Sequence, residues 1–381
     1  MAKLLMITGL GSAMDLASGR RGAFYNTLEE FSKYWERIDI VAPRGQIPNS
    51  KKQPLTLFGN VYVHISPWPL IFHPFWFLRK GLEIYGKEKF NLMTVQDYPP
   101  FYNGVGAFLL WLIVGIPYVL EIHHIPGYPK PANQKEELYA KPKFWRFYWH
   151  IFGSKAKAVR VVNQKQTPEF LKKAGVPENK IIYIPSMYID SNIFKSMSLL
   201  KEYDIIFVGR LEKNKGVGLL LESIKFIVYS LQFSVKCLIV GSGSLLEQLK
   251  LETKQFKLET NVEFRGQAID SAEIAEFMNK SKVLIMPSYN EGGPRVVLEA
   301  MACGVPVLAT NVGLMPDFAD KNAVKIIDWN AKDIASKAKE VLENEDEGER
   351  LAIAGMEIAR QFEKKAMIKN YADKLKEFIQ R

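Results

Sequence analysis

Short β-branched runs alternate with helical patterns along the whole chain, which predicts an α/β fold of parallel sheets joined by βαβ crossovers. Length divides it, because 381 residues exceed one ordinary hydrophobic core and suit two domains. The pattern also restarts, pausing near Phe194–Lys201 and resuming at Asp204. Two doubly wound, Rossmann-like parallel-sheet domains facing a central cleft are expected. One spans 1–197 and one 198–363, with a last helix over about 364–381 packing back on the first.

Strands of the first domain are expected at Leu4–Thr8, Ile38–Ala42, Val61–Ile65, Leu92–Val95, Tyr118–Ile122, Ala158–Val162 and Ile181–Ile184. Those of the second are expected at Asp204–Val208, Lys236–Val240, Val262–Arg265, Val283–Met286, Val305–Ala309 and Val324–Ile327. The longest apolar run, Gly104–Leu120, is slightly short for a membrane span and is broken by Gly115 and Pro117. It reads as a buried helix through Val114, a turn, and the strand at Tyr118. Six of the seven Trp residues and all five His residues fall in the first 150 positions. That asymmetry suggests a first domain meeting something apolar or variable and a second with a stereotyped binding task.

A hydrophobic fraction of 48% with 24% charged residues places the chain among soluble globular proteins. The net charge of +10 favours an anionic partner. Cys237 and Cys303 sit in apolar surroundings without a Cys-x-x-Cys spacing, so neither a disulfide framework nor a zinc site is expected. A reduced, cytoplasmic location is the default. The N-terminal apolar run is too short for a signal peptide and reads as a first strand entering a Gly-containing turn.

Between Ser288 and Pro306, Glu291 and Glu299 stand across the start of a helix rich in small residues. Carboxylates are rarely buried without partners, and the hydroxyls of a sugar nucleotide would supply them. Gly292 and Gly293 let the backbone approach a ligand, and Pro294 suits the first helical position. Glu291 then precedes the helix and Glu299 lies about one and a half turns into it, where the two can grip different ends of one extended ligand. Upstream, Gly209, Arg210 and Lys215 share a loop between a strand and a helix starting near Val217. A helix N-terminus attracts phosphate, Arg210 adds paired donors, and Lys215 adds a point charge. Together they neutralise a pyrophosphate; a solvated basic loop is the alternative. Val240-Gly-Ser-Gly243 is only a fragment of a dinucleotide fingerprint, and close helix–strand packing is expected of its glycines.

Gly209-Arg210…Lys215-Gly216, followed by Glu291 through Glu299-Ala-Met-Ala-Cys-Gly-Val-Pro306, resembles the GT-B fold retaining glycosyltransferases of family GT4. The order of elements is similar over nearly the whole chain. The resemblance implies transfer of a hexose from a UDP- or GDP-sugar to an acceptor hydroxyl, on a glycan or a lipid-linked acceptor. It implies that Arg210 and Lys215 clamp the donor diphosphate, Glu291 holds the donor sugar and Glu299 the ribose. The amides of Gly292 and Gly293 would face the sugar or phosphate. Counted from Pro117 along its strand, it favours His123 as the active-site histidine, with His124 as the competing register. A metal-binding His pair is disfavoured, since no third ligand stands at nearby spacing.

The chain departs from the family in two places. The loop after the first strand carries Gly9-Leu-Gly11 and Ser18-Gly-Arg20-Arg21-Gly22 in place of a simple glycine pair. Gly11 is the candidate diphosphate contact there. Arg20 and Arg21, with His124, are candidates for contacting acceptor or phosphate, against a surface role. Ser186-Met187 replaces the family's Asn-Gly before the interdomain linker, and no chemistry is assigned to it.

A hydrolase needs two carboxylates flanking one glycosidic bond, whereas these acids accompany phosphate-binding signals. With no Asp-x-Asp in a strand–loop setting and a Lys/Arg clamp to carry the metal's role, no metal and no cofactor besides the donor are expected. A nucleotide-sugar epimerase of the same fold, or a non-catalytic nucleotide-sugar-binding homologue, is the alternative. Leu138–Pro168 lacks acids and interleaves Lys141, Lys143, Arg146, Lys155, Lys157, Arg160 and Lys165 with Trp145, Tyr148, Trp149 and Phe152. Pro67–Lys80 adds Trp68, Phe72, Phe75, Trp76 and Phe77. An anionic membrane surface is the expected partner, peripheral on the inner face of the cell membrane; the alternative is that these aromatics fill the core. No nucleic-acid motif is present.

Overall fold

The computed structural model describes residues 2–9, 16, 22–44 and 54–379. Among them are two sheets. The first comprises β1 (Lys3–Ile7), β2 (Arg37–Ala42), β3 (Leu55–Leu57), β4 (Val61–Ile65), β5 (Leu92–Gln96), β6 (Tyr118–Ile122), β7 (Ala158–Val161) and β8 (Ile181–Tyr183). Their spatial order is β3-β4-β2-β1-β5-β6-β7-β8. The second comprises β9 (Tyr203–Val208), β10 (Cys237–Val240), β11 (Val262–Arg265), β12 (Ser281–Met286), β13 (Val307–Thr310) and β14 (Lys325–Ile327), in the order β11-β10-β9-β12-β13-β14. Every pairing is parallel except β3 with β4.

Strands covered by helices on both faces read as continuous apolar runs, as in Leu4-Leu-Met-Ile7 and the fully buried Cys237–Val240. β3 escapes that signal. It is three half-exposed residues folded back on β4 through Phe58 (φ 52°) and Gly59 (φ 80°). The order of the second sheet is that of a dinucleotide-binding sheet, with connections reversing direction between β9 and β12. A crevice therefore opens beyond the C-terminal ends of those two strands.

The long apolar run forms the helix Tyr102–Val114, a turn at Gly115 (φ 69°), and β6. The helix is not buried all round, since Leu112 and Ile113 are exposed. Among the described residues no helix is long and apolar enough to cross a membrane. The helix Lys364–Lys376 returns to the first sheet, where Ile368, Tyr371, Ala372 and Leu375 join the core around Leu4, Phe31 and Trp35.

The basic-aromatic stretch divides in two. Trp76, Phe77, Trp145, Tyr148 and Trp149 belong to the first domain's core, while Phe72 and Phe75 are exposed. Arg160 is buried, and Lys165 pairs with Asp320 of the second domain. For those five aromatics the core-filling alternative holds, because helical periodicity turns alternate aromatics inward.

Candidate active site

The loops after β9 and β12 dock on each other. Gly216 adopts φ 69° where any Cβ would overlap the Pro287 carbonyl, and the Tyr289 N–H donates to the Asn214 carbonyl at 2.8 Å. This brings the Lys215 ammonium onto Glu291 Oε1, to which Ser288 Oγ also donates at 3.1 Å. The Ser288 carbonyl is fixed in turn by the Thr310 hydroxyl and by Trp329 Nε1 at 2.9 Å. Lys215 and Glu291 are mostly buried, at 18% and 14% side-chain exposure, so each charge is shielded and directed by the other.

Arg210 lies in the same loop, exposed, and its guanidinium makes no hydrogen bond or ion pair among the described residues. Gly241 (φ 146°) and Gly243 serve a different purpose from the expected helix–strand packing. A side chain at either would overlap the backbone of Gly209 or Leu211, so they let the loops after β9 and β10 meet.

The helix Arg295–Ala302 begins one residue later than expected, with Pro294 as its N-cap (φ −72°, ψ 112°) and no side chain capping it. Its first N–H groups are thus available to an anion. Glu299, on that helix, is buried and has no hydrogen-bond partner among the described residues. Burial pushes its carboxyl up to about 7, against the opposing pull of Arg295. The structure does not bring Glu299 into contact with Lys215 or Glu291.

The two histidines diverge at the end of β6. His124 keeps solvent access at the cleft mouth while protein surrounds it. That crowding lowers its imidazole below the usual value, Glu291 pulling the other way and Lys215 adding to the depression. The His123 Nε2 is 3.6 Å from Glu121 Oε2 and has no hydrogen-bond partner among the described residues. His123 lines a cavity of about 240 Å³ with Gln96, Glu121, Arg160, Ser186 and Arg295.

The cleft is closed around these groups. A Cβ on Gly292 would overlap the His123 carbonyl, and one on Gly293 would come within 2.9 Å of Met187 Sδ. Neither glycine N–H donates a hydrogen bond among the described residues. Asn163 Nδ2 reaches the Gly292 carbonyl at 3.3 Å, Asn290 Nδ2 reaches Glu136 at 2.9 Å, and the Gly313 N–H donates to Gln166 Oε1 at 2.7 Å. Gly11, Arg20 and Arg21 lie outside the described residues.

Sequence reasoning missed Glu121, Arg160, Tyr371 and Arg295. Glu121 is a charged residue inside a fully buried strand, which is the one signal that pointed to it. Ser186, in the segment given no chemistry, lines the cavity, and neighbouring Tyr188 receives the Arg295 guanidinium at 4.7 Å from its ring centre. Among the described residues no three metal-ligating side chains cluster.

Residues 189–358 match the family of glycosyl transferases group 1. An uncharacterized glycosyltransferase of Methanocaldococcus jannaschii is 26% identical over 313 residues, covering 80% of this chain and 82% of its own. An alpha-1,4-N-acetyl-D-galactosaminyltransferase of Campylobacter jejuni, named for an undecaprenol-diphosphate-linked glycan, is 29% identical over 170 residues, 45% of each chain. The Anabaena protein HepE, solved with UDP and glucose, superposes with a TM-score of 0.72 at 17% identity, covering 99% of this chain and 100% of its own. At that identity the likeness shows the fold, two Rossmann-like domains in the GT-B arrangement.

Proposed function

From the match of residues 189–358 to the glycosyl transferases group 1, we propose that the chain moves a hexose from a UDP- or GDP-sugar to an acceptor hydroxyl with retention of configuration. The observation that carries this reading is the Lys215–Glu291 pair. It stands at the switch point of a dinucleotide-type sheet, beside the exposed Arg210 and across from two histidines of the other domain.

In this reading the donor diphosphate lies over the free helix N-terminus, between Arg210 and Lys215. As the glycosidic bond breaks, charge develops on the leaving phosphate and those cations stabilise it without a metal ion. Glu291, released from Lys215 as phosphate takes the ammonium, accepts from donor sugar hydroxyls. Glu299 accepts from the ribose, which supplies the partners its buried carboxylate lacks. His123 hydrogen-bonds the donor sugar at the reacting centre. The acceptor enters through the cavity beside it, attacks from the face the diphosphate leaves, and gives its proton to the departing phosphate. The closed cleft excludes water and so limits hydrolysis of the donor.

HepE was solved with UDP and the Campylobacter relative is named for a lipid-linked acceptor, which supports a nucleotide-diphosphate donor and an acceptor of the envelope-glycan kind. The test is incubation with UDP- and GDP-sugars, following nucleotide diphosphate release with and without candidate acceptors. Acceptor-dependent release that disappears in Lys215→Ala is expected. An altered sugar nucleotide formed without release, or tight binding with no turnover under any acceptor, would overturn the transfer reading.

A further inference from the structure

Glu121 is charged, buried and shared among three elements distant in sequence. Its Oε1 accepts from Arg160 Nη1 at 3.1 Å and from the hydroxyl of Tyr371, which lies 250 positions away on the last helix. Both donors therefore saturate one oxygen. Its Oε2 is left facing His123 Nε2 at 3.6 Å. The donors are themselves immobilised. Arg160 also gives Nε to the Ile184 carbonyl at 3.0 Å and Nη2 to the Pro185 carbonyl at 2.9 Å, and its guanidinium lies 3.9 Å from the Tyr371 ring centre. Tyr371 stacks on Phe31 at 4.8 Å.

We propose that Glu121 is the positioning residue for His123, and that Tyr371 of the last helix sets its carboxylate so that Oε2 is reserved for the imidazole. A carboxylate held on one oxygen by two fixed donors cannot rotate, and that fixes the edge of the ring it accepts from. The 3.6 Å separation is longer than a hydrogen bond, and such contacts shorten when a substrate fills the site. Burial alone would neutralise Glu121; Arg160, His123 and Tyr371 outweigh it and bring its carboxyl down to about 2. Besides Glu121, the charged groups lining the His123 cavity are Arg160 and Arg295, and His124 next to it in the chain is electrostatically coupled to His123. The last helix is thereby wired into the reaction centre as well as packed beneath it.

The proposal rests on His123 being the cleft histidine of the proposed transfer, and the two fail separately. The His123 ring nitrogens are followed by NMR in the parent, in Glu121→Gln and in Tyr371→Phe, each checked for folding by circular dichroism. Loss of the carboxylate acceptor in Glu121→Gln shifts the Nε2 resonance and changes the tautomer the ring adopts. Tyr371→Phe keeps the ring stack, releases Oε1 from one donor, and moves the same resonance while lowering kcat several-fold at constant donor KM. Unchanged His123 ring resonances in both folded variants overturn the positioning proposal, whatever the turnover. Parent-like turnover in His123→Ala sinks the catalytic reading instead and leaves the NMR result standing.

Discussion

The carbonyl of His123 packs directly on the Cα of Gly292, so that the turn holding one domain's histidines rests on the glycine after the other domain's Glu291. No side chain fits between them, and the obstructing atom is backbone, which cannot swing away. Gly292→Ala therefore forces the two turns apart at the place where donor sugar and histidine meet. A strain of about 1–3 kcal/mol is expected, relieved by opening the cleft instead of unfolding either sheet. Turnover falls at least about tenfold, with a small shift in Tm and a larger radius of gyration by X-ray scattering. Full activity in a closed Gly292→Ala protein would refute the contact's role.

Much of this was legible because it is local. Lys215, Glu291 and Glu299 each sit in a strand-to-helix loop or a helix start, where spacing alone predicts which end of the sheet they reach. The Glu121 cluster was not, because Arg160 lies 39 positions away and Tyr371 250, and they meet only through the β6–β7 pairing and the return of the last helix. Arg160 reads as one more surface cation in a basic run until β7 carries it inside. Gly292 reads as a ligand-approach glycine, and the structure adds an interdomain contact that a single sequence does not display.

Arg210 offers the cleanest separation of function from fold. Exposed and with no side-chain hydrogen bond or ion pair among the described residues, it can be replaced by Ala with a change in stability of no more than about 0.5 kcal/mol. As a clamp on the leaving diphosphate it is worth about a hundredfold or more in kcat. Lys215→Ala has the same effect on turnover and also leaves Glu291 with only Ser288. Steady-state kinetics and thermal melts on both variants check this; wild-type kcat in either would remove that cation from the clamp.

Glu299 gives the fold a pH dependence of defined sign. Its carboxyl is raised by burial to about 7 from an ordinary value of 4.5. The native state thus holds a proton that the unfolded chain has released, and stability contributed at low pH is lost as pH climbs from about 4.5 to about 7. The loss amounts to about 3 kcal/mol. Glu299→Gln removes it, so the variant and parent melt together near pH 5 and the variant is the more stable by pH 8. Parallel melting profiles across that range would show that Glu299 has a partner in solution. Saturating nucleotide sugar closes the gap in the parent, because ribose hydroxyls then satisfy the ionised carboxylate.

The exposed apolar residues of the first domain share neighbouring elements. The helix His73–Glu88 packs on Tyr102–Val114, with Gly81 against Leu110 and Gly106 against Phe77. Phe108 of the second helix meets Phe152 at 5.6 Å. Outward from these elements stand Ile71, Phe72, Phe75, Leu112, Ile113, Phe147 and Ile151, with Ile71, Ile113 and Phe147 at 64%, 62% and 70% exposure. Lys141, Lys143, Lys155 and Lys157 are exposed on the same stretch of chain as Phe147 and Ile151. Water-facing aromatics beside lysines suit an anionic bilayer, to which each lysine near the surface contributes about 1 kcal/mol. Co-sedimentation with phosphatidylserine-containing vesicles is expected at low salt and is weakened as salt screens the lysines. Phe72→Ser with Phe75→Ser reduces it further without lowering Tm, because neither ring supports the core. Failure to sediment at low salt, or sedimentation indifferent to both salt and the double substitution, would reassign this face from membrane docking to some other contact.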